Sequence, residues 1–571
     1  MMDHDLIVVG GGAAGLGAVR AALWAGADVA LISDSAPGGD CTFTGCVPSK
    51  TLLAAARDGL DFAAAVARVR STIEHVAATE STDVLRSEGA TVIEGRARLA
   101  THDTVVVGER RITAPRIVLA TGSQPSLPDD IPGLAEAAPL TNETVFDLAE
   151  APASLGIIGG GPTGCELAQA FALLGVEVTL FEFHQQLLPG EEPEAAATVR
   201  ETLQAGGVRV LRCTRAARVD PARRESDGGG PYSLVYRLAR SHGIGGRVTV
   251  DRLLAATGRT PSTEGLGLTK MKLKLGEWSG HVLTDERLET SVRGVYAAGD
   301  VAAWRLRRPA RRRIRPTPLF TIDKIDEHRP SRWGLLGGTG KPSGRSRLAR
   351  IRRLGARASA YPSPRPGIVF TVDRAVSADP SGRRRADRRL RRMLTRERAR
   401  RRRQRQHHAA LNLSHAADEM GRIAAGNALG KGRRGRFRGD LVPRVVFTDP
   451  EVASVGLTPS HAPPGSRVAY LPLAEVDRAV TDGRTDGFIA IVAGPRRLLR
   501  NAGGGRILGA TIVAPRAGEM VSEIVLAMRT GAFAGRLAQA SHAYPTWSSG
   551  VQKAAAQFFG EIDGRRARRV D

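Results

Sequence analysis

The chain has 571 residues, 42% hydrophobic and only 4% aromatic, with a formal charge of +25; that length exceeds one ordinary domain and fits roughly two to four with Gly- and Ala-rich α/β cores. No run of about 18 apolar residues is free of charge or glycine clusters, Met1 to Asp5 carry no basic signal region, and four cysteines make no extracellular disulfide framework, so the expectation is a cytoplasmic protein with no membrane span. The charge is local: residues 303–410 hold 33 Lys/Arg against 7 Asp/Glu, whereas the rest of the chain has 50 against 51, which excludes a basic protein throughout.

Leu6 to Val9 reads as a buried strand, followed by Gly10-Gly11-Gly12-Ala13-Ala14-Gly15, an apolar helix from Leu16 to Trp24, and a second strand from Asp28 to Ile32. Strand, G-x-G-x-x-G, helix and strand in that order form the dinucleotide fingerprint in its full context. Gly10, Gly12 and Gly15 let the backbone approach a pyrophosphate at the helix N-terminus. An acid should close the second strand and take the ribose hydroxyl, and Asp34 is the candidate.

The stretch Gly38 to Lys50, GGDCTFTGCVPSK, comes next. Pro48 and the apolar run Thr51 to Ala56 predict a helix that begins near Cys46. The helix dipole and free amides there stabilise a thiolate, so Cys46 is the expected reactive sulfur. Cys41 can reach it only across a short, tight loop, and a disulfide in that geometry is labile rather than structural.

A second fingerprint follows. Leu155 to Ile158 leads into Gly159-Gly160-Gly161-Pro162-Thr163-Gly164, a helix from Cys165 to Gly175, and a strand from Val178 to Phe181 that ends at Glu182. Gly159, Gly161 and Gly164 repeat the first cradle. Glu182 suits a ribose 2′-hydroxyl and repels a 2′-phosphate, which favours NAD(H) over NADP(H). Cys165 in this helix and Cys213 after a later strand read as small buried hydrophobes.

These strings together resemble the class I pyridine nucleotide-disulfide oxidoreductases, flavoproteins that include dihydrolipoamide dehydrogenase, glutathione reductase and mercuric reductase. The resemblance implies FAD in the first unit and a nicotinamide cofactor in the second. It makes Cys46 the thiol beside the flavin and Cys41 the thiol that exchanges with substrate. Lys50 would lie near the flavin's reactive nitrogen, paired with Glu166. Ser33 fills the family's usual Glu position ahead of Asp34. Gly95-Arg96-Ala97 matches a segment near the adenine, with Ala97 as the contact, and Val295 to Asp300 matches the second FAD signature, whose Asp300 binds the ribityl chain. Two Thr-Gly turns, Thr121-Gly122 and Thr257-Gly258, look like crossings between the cofactor domains, so Thr121 and Gly122 are assigned to FAD and Gly258 to NAD. The helix that starts near the flavin ring resumes at Leu413 and brings Ala416 to the cofactor.

From Leu441 the chain resembles the family's dimerisation domain, and it departs from that pattern at one site. Where the family places a His–Glu acid–base dyad, this chain has Tyr544 and Ser549; Tyr544 is a poor base near neutral pH but a serviceable proton donor. His542 is a possible displaced base. No cysteine follows Cys213, so the C-terminal metal-delivering pair of mercuric reductases is missing, and no metal site is expected.

The implied fold is α/β, with two Rossmann-like FAD- and NAD(P)-binding domains and an α+β C-terminal dimerisation domain. The FAD domain spans 1–150 with 283–302 and 411–440, the NAD(P) domain 151–282, and the interface domain 441–571. Residues 303–410, with 31 Arg and 2 Lys, form an insert expected to be disordered. The implied protein is a homodimeric FAD-dependent NAD(P)H oxidoreductase. Through a redox-active Cys41–Cys46 disulfide, it passes hydride to a small disulfide-type or related acceptor. Two alternatives stay open: a mercuric-reductase-like or quinone reductase without the dyad, and an Arg-rich nucleic-acid-binding protein on a degraded reductase scaffold, for which the insert is the only nonspecific contact.

Overall fold

The structure is a computed structural model that describes residues 2–221, 232–238, 244–277, 279–305, 408–409, 411–430, 434–495 and 501–571. Nearly all of the Arg-rich segment, residues 306–407 with 410, lies outside the described residues.

Leu6–Val9 is the central strand of a five-stranded parallel sheet, flanked by Val29–Ser33 and Thr91–Glu94 on one side and by Ile117–Leu119 and Val295–Ala297 on the other. These strands read as unbroken apolar runs because both faces of the sheet are covered; Leu6, Ile7 and Val8 are fully buried. Helix Ala13–Trp24 packs on it, and helix Ser414–Leu429 packs against that helix from nearly 400 residues away. Glycine allows the close crossing: a Cβ at Gly421 would lie 2.0 Å from Ala14 O, and one at Gly17 would lie 2.6 Å from Asp418 Oδ1. The sequence therefore returns to its first nucleotide unit late in the chain, as the family pattern implies.

A second parallel sheet has the order Arg209–Leu211, Glu177–Phe181, Ser154–Ile158, Arg252–Ala255, and carries helix Pro162–Leu173. Pro162 opens this helix, where its missing N–H costs nothing. Strands Ser123–Pro125 and Arg259–Pro261 pair antiparallel and join the two units. The third body is a six-stranded sheet, Arg444–Val446, Glu451–Gly456, Arg506–Ala514, Phe488–Gly494, Arg467–Pro472 and Arg568–Arg569, all antiparallel, with helices Ala517–Thr530 and Ser549–Ala556. The first and third sheets have apolar cores of their own, whereas the core of the second unit also takes in Leu52 and Leu53 of the helix behind Cys46 and Val446, Phe488 and Val513 of the C-terminal sheet.

The second strand runs one residue further than expected, to Ser33, whose side chain is buried. Cys165 is fully buried, as read, but Cys213 is only partly so and sits at φ 54°, in the left-handed region. Ala303 and Trp304, at the start of the Arg-rich segment, are buried in strand Ala302–Arg305, and Trp304 meets Phe437 edge-on at 4.8 Å. No helix among the described residues is long and apolar enough to cross a membrane.

Candidate active site

The residue pattern around the two cysteines builds the site. Cys41 lies on a single helical turn, Gly39–Phe43, and Cys46 is the first residue of helix Cys46–Arg57. Gly45 sits between them because a Cβ there would meet Asp40 O at 2.7 Å. Both cysteines are free thiols. The Cys41 thiol donates to Cys46, which, with the Lys50 charge and a hydrogen bond from Ser414, holds Cys46 down to about 5. Donating that hydrogen bond, together with burial, pushes Cys41 up. One sulfur is thus a thiolate at neutral pH and the other a thiol, which divides the pair into two roles.

Lys50, one turn along the same helix, pairs with Glu166 Oε2 at 2.7 Å and lies 4.8 Å over the Phe447 ring. Glu166 is 4% exposed, and its Oε1 accepts from Phe447 N at 2.9 Å. One turn later Gln169 holds Asp449, accepting from its N–H at 2.7 Å and donating to its carbonyl at 2.9 Å. Two side chains of one helix thereby tie the second nucleotide unit to the redox helix and to the C-terminal sheet.

A cavity of about 1840 Å³ runs from Gly10 and Gly12 past Asp34 and Asp300 to Cys46 and Lys50, and on to Gly159, Gly161 and Glu182. The two glycine cradles superpose in their chemistry. A Cβ at Gly10 would lie 2.4 Å from Ala120 O, and one at Gly159 would lie 2.3 Å from Ala256 O. A Cβ at Gly15 would lie 1.9 Å from Gly10 O, and one at Gly164 would lie 1.9 Å from Gly159 O. Gly15 and Gly164 therefore serve helix-on-strand packing and do not line the cavity, whereas a Cβ at Gly12 would meet nothing nearer than Gly39 Cα at 3.9 Å and Gly161 faces open space.

Most of the remaining residues assigned from sequence meet in this cavity. Ala97, Thr121, Gly122 and Gly258 line it. Asp300 accepts from Ser123 Oγ at 2.7 Å, and burial raises its carboxyl. Ala416 is fully buried in the core, and its neighbour Ala417 faces the cavity. Tyr544 and Ser549 do not line it in this chain. Tyr544 is 75% exposed on the C-terminal body, its phenol pushed up by donating to Asp477. His542 has both ring nitrogens engaged, with Glu523 Oε2 and Ala540 O each 2.9 Å away, which leaves it unsuited to a displaced base. Among the described residues no His, Cys, Asp and Glu cluster could hold a metal.

Ser414, Phe447 and Arg259 escaped the sequence reading as site residues. Ser414 Oγ lies 3.5 Å from Cys46 Sγ at the start of the late helix. Its position one residue past Leu413 was the available signal. In the two-electron-reduced protein, long-wavelength absorbance from the thiolate should hold at neutral pH and fade as the pH falls through about 5. Ser414→Ala removes one hydrogen bond to the charged form, so the fade should move up by roughly one pH unit. A pH titration of the band in both proteins checks this, and superimposable curves would dismiss Ser414.

Residues 4–319 match the family profile described as pyridine nucleotide-disulphide oxidoreductase, and residues 442–555 match its dimerisation domain. The chain belongs to the pyridine nucleotide-disulphide oxidoreductases. A mercuric reductase of Staphylococcus aureus is 27% identical over 98% of this chain and 83% of its own length. A dihydrolipoyl dehydrogenase of Thermus scotoductus is 27% identical over 97% of both chains. Among solved structures, the HOCl-induced flavoprotein disulfide reductase RclA from Escherichia coli, in its Cu(II) complex, superposes with a TM-score of 0.70 at 22% identity, covering 97% of this chain and 99% of its own. LpdA from Mycobacterium tuberculosis gives 0.68 at 24%, over 97% and 100%. This member of the family is an oxidoreductase of the FAD-dependent, NAD(P)H-linked type, acting on a sulfur group or a related acceptor, with a dimerisation domain. Its first glycine cradle and the carboxylates Asp34 and Asp300 fit the FAD such an enzyme carries.

Proposed function

We propose that this oxidoreductase takes its electrons from NADH and stores them in the Cys41–Cys46 pair, with Cys46 as the sulfur beside the flavin and Cys41 as the sulfur that meets the acceptor. The observation that carries this is the split of the pair into a thiolate and a thiol beside the Lys50–Glu166 ion pair. Bound FAD supplies two-electron transfer between a nicotinamide and the disulfide. The chain's own groups do the rest. Gly10, Gly12, Asp34, Ala97, Thr121, Gly122, Asp300 and the start of the late helix hold the cofactor, with Gly15 packing beneath it. Lys50 keeps a positive charge beside the flavin ring, and buried Glu166 fixes its ammonium. Gly159, Gly161, Glu182 and Gly258 hold the nicotinamide nucleotide, with Gly164 packing beneath it.

Glu182 supports NADH as the donor. Its Oε2 accepts from Gly160 N at 2.8 Å, and its Oε1 meets His184 at 2.6 Å, so a carboxylate is pinned at the strand end where a third phosphate would sit. NADH should show the higher kcat/KM, and Glu182→Ala should narrow the gap by about tenfold. A wild-type preference for NADPH would refute this assignment.

Tyr544 and Ser549, in place of a His–Glu dyad, favour a second reading of the acceptor: a quinone or metal ion that needs no dithiol base. In a homodimer, exposed Tyr544 is available to the partner's acceptor as a proton donor. The domain division given by the sequence, with the Arg-rich 303–410 insert outside the catalytic core, and residence in a reducing cytoplasm complete the proposal. The deciding experiment is a steady-state screen with NADH against lipoamide, glutathione disulfide, quinones and Hg(II). Turnover of any disulfide that survives Cys41→Ser would exclude the exchange role of Cys41.

A further inference from the structure

Arg259 makes more side-chain hydrogen bonds than any other residue of the cavity wall described above. It opens the strand that crosses from the second nucleotide unit to the first. Its Nε donates to Ser123 Oγ at 2.7 Å, its Nη1 to Asn142 Oδ1 at 3.1 Å, and its Nη2 to Ser123 O at 2.7 Å and to Asp40 Oδ2. Asn142 passes the grip on, since its Nδ2 donates to Thr44 O at 3.3 Å. Asp40 immediately precedes Cys41, and Thr44 ends the same turn, with its N–H on Asp40 O at 2.9 Å. The turn that carries Cys41 is therefore clamped at both ends, by a carboxylate in front of the sulfur and a carbonyl behind it.

The clamp matters because a disulfide demands narrow geometry. The two Cα atoms must come within about 4.4–6.8 Å with a restricted torsion. Only four residues separate Cys41 from Cys46, so the turn cannot shift without changing how well the sulfurs meet. Whatever fixes the turn also biases the exchange between disulfide and dithiol. The Arg259 side chain is 19% exposed and that of Asp40 47%, so the guanidinium half of the ion pair is shielded while the carboxylate half meets solvent.

We propose that Arg259 is a positioning residue for the redox pair. Acting through Asp40 on one side and Asn142–Thr44 on the other, it sets the dithiol–disulfide equilibrium and the reactivity of Cys41. It also couples that turn to the strand that carries the nicotinamide unit. The inference rests on the redox role given to the pair under Proposed function. The balance there is one disulfide and one NADH giving one thiol, one thiolate and NAD⁺: the S–S bond breaks, two electrons and one proton arrive as hydride, the proton ends on Cys41, and Cys46 is left as the thiolate.

The test uses full-length holoenzyme with Asp40→Asn, Asp40→Glu and Asn142→Ala, each of which leaves Arg259 in place, and with Arg259→Lys. The cysteine pair is equilibrated in glutathione buffers of stepped ratio, and the dithiol fraction is read by alkylation and mass, normalised to FAD content so that partial unfolding does not imitate an effect. Asp40→Asn and Asn142→Ala should each shift the equilibrium constant at least about threefold and speed alkylation of Cys41, with Asp40→Glu restoring most of the wild-type value. Unchanged equilibrium and alkylation in both variants would overturn the inference, whether or not Arg259→Lys folds. If NADH exposes no thiols in the wild-type protein, the reading of the pair itself falls, and this inference with it.

Discussion

Cys46→Ser should abolish the long-wavelength band of the reduced enzyme and lower kcat for any disulfide acceptor on the order of 10³-fold or more, while NADH still reduces the bound flavin. The reasoning follows the geometry at the start of helix Cys46–Arg57. Of the two sulfurs, Cys46 is the one that is anionic at neutral pH, held near 5 by the Cys41 thiol, Lys50 and Ser414. A serine hydroxyl at that position stays neutral and has no electron pair to share at comparable energy. Cys41→Ser should behave in the opposite way. It leaves Cys46 unable to form the disulfide, so the band should appear before any reductant is added, although loss of the Cys41 hydrogen bond makes it more pH-sensitive. Anaerobic NADH titration of the three proteins measures both effects. Band intensity in Cys46→Ser equal to wild type would remove Cys46 from the flavin side.

The second large effect comes from the third glycine of each cradle. In Gly15→Ala a Cβ would be driven to 1.9 Å from Gly10 O, and in Gly164→Ala to 1.9 Å from Gly159 O. Neither contact is with a flexible side chain, so helix and strand must part, at roughly 1–3 kcal/mol or more. The geometry is the same but the readouts differ. Gly15→Ala should purify largely without FAD, its Kd raised about 10–100-fold. Gly164→Ala should retain FAD but need much more NADH to reduce it, through a raised KM. Absorbance ratios of the purified proteins and stopped-flow reduction separate the two cases. Matching defects in both variants would show that the units are not assigned to different nucleotides.

What the residues by themselves disclosed about this site was local in the chain; the Lys50–Glu166 pair, 116 positions apart, came from the family resemblance. Leu6 to Val9, the glycine loops and the helix behind Cys46 are each written in about ten consecutive residues, where apolar spacing and a proline or glycine decide the backbone. Glu182 could be read because it ends its own strand. Long-range contacts were not legible in that way. Ser414 reaches Cys46 across 368 positions, Phe447 reaches Glu166 across 281, and Arg259 reaches Asp40 across 219. Nothing in the spacing of either partner marks such a pair, because the contact is created by the docking of separately formed layers. The Ala416 assignment differs by one residue for a related reason: which of two adjacent helical alanines turns to the cavity depends on the rotation of Ser414–Leu429 against Ala13–Trp24. Tyr544 was visible only as a departure from a familiar string, and it stands 75% exposed on the C-terminal body.

The strand Ala302–Arg305 has a consequence for the topology of the whole catalytic body. It runs parallel to Val282–Thr284 and is paired on its other side with His408–Ala409, so Trp304 faces Ala409 and Arg305 faces His408 across one antiparallel rung. The chain leaves and re-enters at the same sheet edge. Arg305 and His408, the described residues on either side of 306–407, are thus already adjacent. The edge works as a seam. Two polypeptides ending and beginning there would find each other through the glycine-packed crossing of their first and late helices, which makes this the natural place to cut the enzyme into complementary halves or to graft foreign sequence.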